Sequence, residues 1–399
     1  SVNRAIPLKM LCVLALISAI APLSIDMYLP GLPLMAVALD TTAASVQLTL
    51  TTFMAGLGIG QLIIGPISDG LGRRRILLAA TIITALSGAA CAVAPNIEFL
   101  IGARLVQGLS GGAAIVLARA CIADRARGDD AAKLFSIMMI IGGIAPVVAP
   151  LIGGALLGPV GWRGIFWVLA VAGAVMVAGV VLLVPETLPP ERRHGGGLKA
   201  LISNLRYVVR NRHYLGYALA FVFGFGALFA YISASPFVVQ NVLGLSPSQF
   251  SIAFAVNATG MVTAAMITTR LLGRVGARTL LRFGVCLLLM GGAVLFCTSV
   301  VFSSTNTWLI LVPLFVAISS IGFIMGNATA LAQGEVTNAA GTGSALMGAG
   351  QFGLAALVSP LVGIAGEDTA VPMAIAIPTF GVLAAVALVL LTRGTAAAS

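Results

Sequence analysis

Apolar residues run along this chain in long uninterrupted blocks, not in the short alternating or amphipathic patterns of soluble elements. Blocks of about 20 residues, the length a helix needs to cross the hydrocarbon core of a bilayer, fall at residues 10–29, 46–66, 76–95, 99–120, 134–157, 165–184, 215–238, 249–269, 279–301, 308–332, 343–364 and 371–391. They predict an all-α polytopic membrane protein with twelve transmembrane helices. The polar stretches between blocks are short, and the longest, Pro185 to His213, follows the sixth. The chain is thus expected to divide into an amino-terminal six-helix bundle over 1–184, a cytoplasmic linker over 185–213 and a carboxy-terminal six-helix bundle over 214–399.

Composition agrees with this pattern. Charged residues make up 9% of the chain, against about 25% in a soluble domain, which excludes a soluble protein. The net charge of +10 could point to nucleic acid, but the basic residues form no single patch and carry no interleaved aromatics. They collect instead in alternate loops. With the amino terminus in the cytoplasm, Arg4, Lys9, Arg73 to Arg75, Arg119 to Lys133, Arg192 to Arg212, Arg270 to Arg282 and Arg393 all fall on one side, 20 of the 22 basic residues. That bias places both termini in the cytoplasm. The exceptions are Arg163, at an outer end, and Arg104, inside a span. The five cysteines lie in or at the ends of apolar spans and are odd in number, so they read as buried thiols with no metal-type pairing.

The halves resemble each other. Ala149-Pro150-Leu151-Ile152-Gly153 in the fifth span recurs as Ser359-Pro360-Leu361-Val362-Gly363 in the eleventh, 210 residues later. The turn Asp69-Gly70-Leu71-Gly72-Arg73-Arg74 has a degraded echo, Gly273-Arg274-Val275-Gly276-Ala277-Arg278, at an offset of 204. Two matches at equivalent positions point to duplication, and six helices being an even number, the copies face the same way. Parallel six-helix repeats are a transporter plan.

Three motifs narrow the reading. Gly65-Pro66-Ile67-Ser68-Asp69-Gly70-Leu71-Gly72-Arg73-Arg74-Arg75 follows the second span and resembles the loop signature of the major facilitator superfamily, departing from it at Gly70, where a basic residue is usual. The resemblance implies a conformational latch formed by Gly65, Asp69, Gly72, Arg73, Arg74 and Arg75, whereas a plain positive-inside loop would explain the arginines alone. In the fourth span, Leu100, Arg104, Gln107 and Gly111 share one helical face. An arginine in the hydrocarbon layer costs at least about 2.5–3.5 kcal/mol, so Arg104 is expected to face a wet cavity or an acidic or carbonyl partner. The family assigns proton coupling to the matching arginine, and a structural ion pair is the alternative. The third motif, Pro146 with Ala149-Pro150-Leu151-Ile152-Gly153-Gly154, is similar to the antiporter motif of the superfamily, with Ala149 in place of glycine. Pro146, Pro150, Gly153 and Gly154 are equally compatible with close helix packing.

Asp26, near the end of the first span, is the sole acid within any predicted span. Burial opposes ionisation of a carboxylate and a neighbouring arginine favours it, so an acid held between the two could load and release a proton. Capping a helix end is the other reading. The sequences Asp26-Met27-Tyr28-Leu29-Pro30, Ser45 to Thr52, Gly60-Gln61 and Ala234-Ser235-Pro236-Phe237 resemble the bicyclomycin/chloramphenicol-resistance branch of the drug:proton antiporters. That resemblance implies the superfamily fold, two pseudo-symmetric six-helix bundles. It also implies efflux of small hydrophobic or amphipathic drugs by alternating access across a bacterial inner membrane, driven by protons without a cofactor. Asp26 and Arg104 would couple protons. No nucleophile elbow, nucleotide loop or metal-ligand cluster is present, so an enzyme is not expected.

A drug cavity needs aromatic and methionine surface with a few polar groups. The pool of candidates is Tyr28, Gln61, Gln107, Phe225, Phe229, Tyr231, Phe254, Asn257, Asn327, Met347 and Gln351. Expected partners are drug, protons and the lipid bilayer, with no nucleic acid, and the chain is expected to act as a monomer. Two rivals stay open: a metabolite importer of the same fold, and a membrane interaction or sensory protein that transports nothing.

Overall fold

The computed structural model describes residues 6–125, 128–193, 198–336 and 340–393, and every regular element among them is helical. Two compact units divide the chain, residues 1–41 with 48–196, and residues 42–47 with 197–399. Among the described residues, eleven helical segments have the length and apolar composition to cross a membrane. The difference from the twelve predicted lies in one long helix that contains two of them.

The first unit is built from α1 (Leu8–Asp26), α2 (Leu32–Ala38), α3 (Ala43–Leu71, whose first turn belongs to the second unit), α4 (Arg74–Ala92), α5 (Ile97–Arg125) and α6 (Gly128–Leu183). Helix α1 stops at Asp26 for a local reason: the Pro30 ring would collide with the carbonyl of Asp26 if the helix continued. A single 3₁₀ turn, Leu29–Gly31, then leads into α2. Helix α6 spans 56 residues. As a straight rod it would be about 84 Å long, far beyond the roughly 30 Å hydrocarbon core. It is not straight, because Gly161 has φ 69° and ψ 179°, a conformation open to glycine and strained for other residues. Gly31 touches Leu157 before this break and Trp162 after it, while Gly179 packs on Val13 near the start of α1. The second limb therefore runs back along α1, and α6 is the fifth and sixth predicted spans joined at Gly161.

Helix α4 packs on α5 and α6, and α1 packs on the same two. Helices α3 and α5 cross closely: a Cβ on Gly108 or Gly112 would strike the backbone of Phe53 or Leu57. Small residues at such crossings let transmembrane backbones approach and gain dispersion contact where no hydrophobic effect is available.

The second unit contains α7 (Leu198–Arg210), α8 (Arg212–Phe237), α9 (Pro247–Leu271), α10 (Ala277–Phe296), α11 (Thr307–Glu335), α12 (Ala340–Gly363) and α13 (Val371–Leu391). Side-chain caps start three of them: Asn211 accepts from the Tyr214 N–H, Ser246 and Gln249 form a capping box, and Asn306 accepts from Trp308. Helix α11 packs on α8, α9 and α10, the counterpart of α5 against α1, α3 and α4. The duplication extends to single contacts. Gly322 on α11 abuts the carbonyl of Met261 on α9 as Gly112 abuts Leu57. Gly112 and Gly322 are 210 residues apart, and Leu57 and Met261 are 204 apart, the offsets of the two sequence repeats.

The outward faces carry large apolar side chains, with Leu182 77%, Trp308 72% and Leu86 66% exposed. Such a surface suits lipid as solvent. The predicted linker over 185–213 contains the boundary between the units and also the helix α7.

Candidate functional site

Arg104 lies on α5 in the first unit and is fully buried. Its Nη2 donates to the carbonyl of Ser24 at 3.0 Å, Nη1 to Gln107 Oε1 at 2.8 Å and Nε to the carbonyl of Thr49 at 3.4 Å. The guanidinium also stands over the rings of Phe53 (4.2 Å), Tyr28 (4.5 Å) and Phe166 (5.7 Å). A desolvated cation gains from the negative faces of aromatic rings. The Ser24 carbonyl is one of the last in α1, left without a helical donor when the helix stops. Arg104 supplies that donor, and its charge sits at the negative end of the α1 dipole. Of the surroundings expected for Arg104, the structure shows carbonyl partners.

The rest of the shell is tied in. Tyr28 Oη and Thr49 Oγ1 are 2.8 Å apart, and the Cys91 thiol lies 3.9 Å from Gln107 Oε1. Tyr28 packs against Phe166, which meets Trp162 edge-on. Asp26 is buried too, at 4% exposure. The structure does not pair it with Arg104: the ion pairs among the described residues are Arg73–Asp124 and Arg193–Glu186. The donors of Arg104 go instead to the carbonyls of Ser24 and Thr49 and to the Gln107 side chain. Arg163, the other basic residue out of place, donates to the carbonyls of Ala92 and Ala94 and stacks on Trp162, closing the end of α4.

The arginine-rich turn forms a second site within the same unit. Arg73 pairs with Asp124 through Nε at 3.0 Å and Nη2 at 3.3 Å, and its Nη1 donates to Ser68. Glu186 accepts from the backbone N–H groups of Arg73 (2.9 Å) and Arg74 (3.2 Å), at the start of α4. Those amides are helix donors without internal acceptors, and the carboxylate also meets the positive end of the dipole. The Arg74 guanidinium donates to the carbonyls of Val181 and Val184 at the end of α6, and Thr187 donates to Asp124. Gly72 has φ 93°, and a Cβ there would run into Glu186 and Arg193. Arg75 is exposed. Gly65, Asp69 and Pro146 lie on helices but outside the described side chains. Burial pushes the pKa of Glu186 up, but the N–H donors of Arg73, Leu188 and Arg74 and the charge of Arg193 outweigh it, leaving the group below its ordinary value.

In the third motif, Pro150 is buried and Gly153 lies against the backbone of Met27, so α6 touches the residue next to Asp26, while Gly154 is half-buried. Of the proposed lining residues in the first unit, Tyr28 and Gln107 belong to the arginine shell, and Gln61 is half-buried. In the second unit, Tyr231, Phe254 and Asn257 come together: the rings stack at 5.5 Å and Asn257 Nδ2 donates to Tyr231 Oη at 2.8 Å. Phe225 stacks on Phe229 and meets Phe352 edge-on. The Asn327 amide donates to the Phe323 carbonyl of its own helix. Met347 is buried and Gln351 half-buried. Sequence reasoning missed Phe53, Phe166, Asp124 and Glu186.

Residues 14–360 match the family model described as Major Facilitator Superfamily. The chain belongs to that superfamily. It is a transporter, not an enzyme. Over 362 residues the superfamily sequence is 39% identical to the uncharacterized MFS-type transporter YdgK of Bacillus subtilis (strain 168), covering 90% of this chain and 89% of that protein. It is 33% identical over 360 residues to the bicyclomycin resistance protein homolog of Haemophilus influenzae, covering 90% of each. It is 32% identical over 282 residues to a chloramphenicol resistance protein of Pseudomonas aeruginosa, covering 70% of this chain and 66% of that one. The fold is similar to the crystal structure of the nucleoside transporter NupG, with a TM-score of 0.75 at 15% identity, over 97% of this chain and 99% of that one.

Proposed function

We propose that this transporter exports small hydrophobic or amphipathic drugs in exchange for protons, by alternating access, across a bacterial inner membrane with both termini in the cytoplasm. The observation that carries the proposal is Asp26, a buried carboxyl without an ionic partner among the described residues, set beside the arginine shell of the first unit. Acids inside transmembrane segments mark proton or substrate pathways. Because Asp26 is buried, its proton can exchange only when water reaches it, which an alternating structure provides on one side at a time. Arg104 acts through position: it joins the end of α1 to α3 and α5, so movement of the Asp26 segment is coupled to both helices.

The direction of transport and the class of substrate rest on the relatives, two of which are named for resistance to bicyclomycin and chloramphenicol. The Tyr231–Phe254–Asn257 cluster and the Phe225–Phe229 stack, with Met347 and Gln351 as further candidates, offer the rings and amides that would orient such a drug. The proton gradient supplies the energy, about 2.3 kcal/mol per charge for each 100 mV of potential. The test is expression in a pump-deficient bacterium against a drug panel, chloramphenicol first. Raised resistance that is lost in Asp26→Asn at equal membrane abundance supports the reading. Unchanged sensitivity to every drug, with solute uptake instead, would replace it with the importer.

A further inference from the structure

Helices α10 and α13 of the second unit pack together, and a cleft of about 470 Å³ opens between them. Three arginines stand at one end of it: Arg278 and Arg282 in the first turns of α10, and Arg393 just past the end of α13. Below them the walls are apolar, from Val285, Cys286 and Leu289 on one side and Leu388 and Val389 on the other. The positions 278, 282, 286 and 289 recur at helical spacing, so they form one stripe along α10.

Charge and depth together define the ligand. Neither helix contains an acidic residue, and none of the three arginines forms an ion pair among the described residues. Arg282 and Arg393 are exposed, and Arg278 is held in place by donating to Tyr217 Oη at 3.1 Å. Guanidinium groups bind phosphate oxygens through paired N–H donors. From Arg278 to Leu289 the stripe runs about 16 Å, close to half of a hydrocarbon core of about 30 Å, the depth of one leaflet. Cys286 and Val389 are exposed, so the cleft is open along its length toward the surface that faces lipid. A free phosphate would use the arginines and leave the apolar wall idle.

We propose that this cleft binds an anionic phospholipid, its phosphate between Arg282 and Arg393 beside Arg278 and one acyl chain along the α10 stripe. The arginine end is the one that the basic-residue bias assigns to the cytoplasm, where anionic lipid gathers opposite basic side chains.

Native mass spectrometry of the full chain in detergent tests this, with equimolar phosphatidylglycerol and phosphatidylcholine added and soluble glycerol phosphate as competitor. Phosphatidylglycerol should be retained preferentially, and excess glycerol phosphate should not displace it. The double variant Arg282→Gln, Arg393→Gln should bind it about twenty-five-fold more weakly, since each basic group near an anionic lipid contributes about fivefold. Cys286→Phe keeps the arginines but fills the apolar wall, and should also weaken retention. Unfolding midpoints confirm that both variants are folded. Equal retention of the two lipids, binding by the folded double variant as tight as the parent, or displacement by glycerol phosphate would each overturn the proposal, the last by making the cleft a site for free anions.

Discussion

The guanidinium of Arg104 on α5 closes the end of α1 by donating to the carbonyl of Ser24 at 3.0 Å. A helix that stops inside a bilayer exposes carbonyls that lipid cannot satisfy, and here a buried cation resolves the problem. Removing it should be destabilising independently of any transport step. Arg104→Ala should lower unfolding stability in detergent by about 3 kcal/mol, from the loss of charge-assisted hydrogen bonds. Arg104→Lys should recover less than half of that, because one ammonium cannot reach acceptors on α1, α3 and α5 in the planar fork that arginine provides. Stability of the lysine variant equal to the parent would refute this.

Arg73 and Asp124 are nearly buried, at 9% and 10% side-chain exposure. Breaking such a pair strands a charge and costs about 3–5 kcal/mol, whereas replacing both partners by apolar residues is far milder. Asp124→Leu should therefore destabilise more than the double variant Arg73→Met, Asp124→Leu. A thermal-unfolding cycle over the four proteins measures the coupling, and additive single effects would argue against it.

Glu186 gives the fold a pH dependence. Its carboxylate is held below its ordinary value of 4.5, so its contribution is present above the unfolded value and disappears as pH falls through the folded one. The stability difference between the parent and Glu186→Gln should be full at about pH 7, shrink as pH falls below about 4.5 and disappear once pH has fallen through the folded value. Melting curves at several pH values check this, and a difference that grows toward acid pH would have the wrong sign.

Gly112 and Gly322 occupy equivalent crossings in the two units. Alanine at either should force the crossing helices apart and cost about 1–3 kcal/mol, as overpacking does. Similar losses in Gly112→Ala and Gly322→Ala would follow from the duplication. A neutral effect at one site would show that its crossing yields while the other does not.

Much of the fold is legible in the sequence because the bilayer imposes it: a span needs a long apolar run, and Gly161 falls in the gap predicted between the fifth and sixth. The site is legible in part. Arg104 and Asp26 stand out because charge is costly in oil, yet the partners of Arg104 are mainly carbonyls of Ser24 and Thr49, which every residue possesses and no side chain announces. Phe166 reaches the arginine only because α6 turns back at Gly161, a tertiary fact with no local pattern. Glu186 was visible as a linker residue, but its role depends on where α4 begins. Helix α7 was hidden by its basic residues, although Leu198, Leu201, Leu205 and Val208 recur at helical spacing.

The central claim is that proton exchange at Asp26 drives drug movement. Inverted vesicles carrying the parent or Asp26→Asn at equal abundance, given an imposed pH gradient and a transported drug, test it most directly. Gradient-dependent drug accumulation and drug-induced proton release should both be present in the parent and absent in the variant, while drug binding persists. Undiminished accumulation by Asp26→Asn would remove this residue from the mechanism.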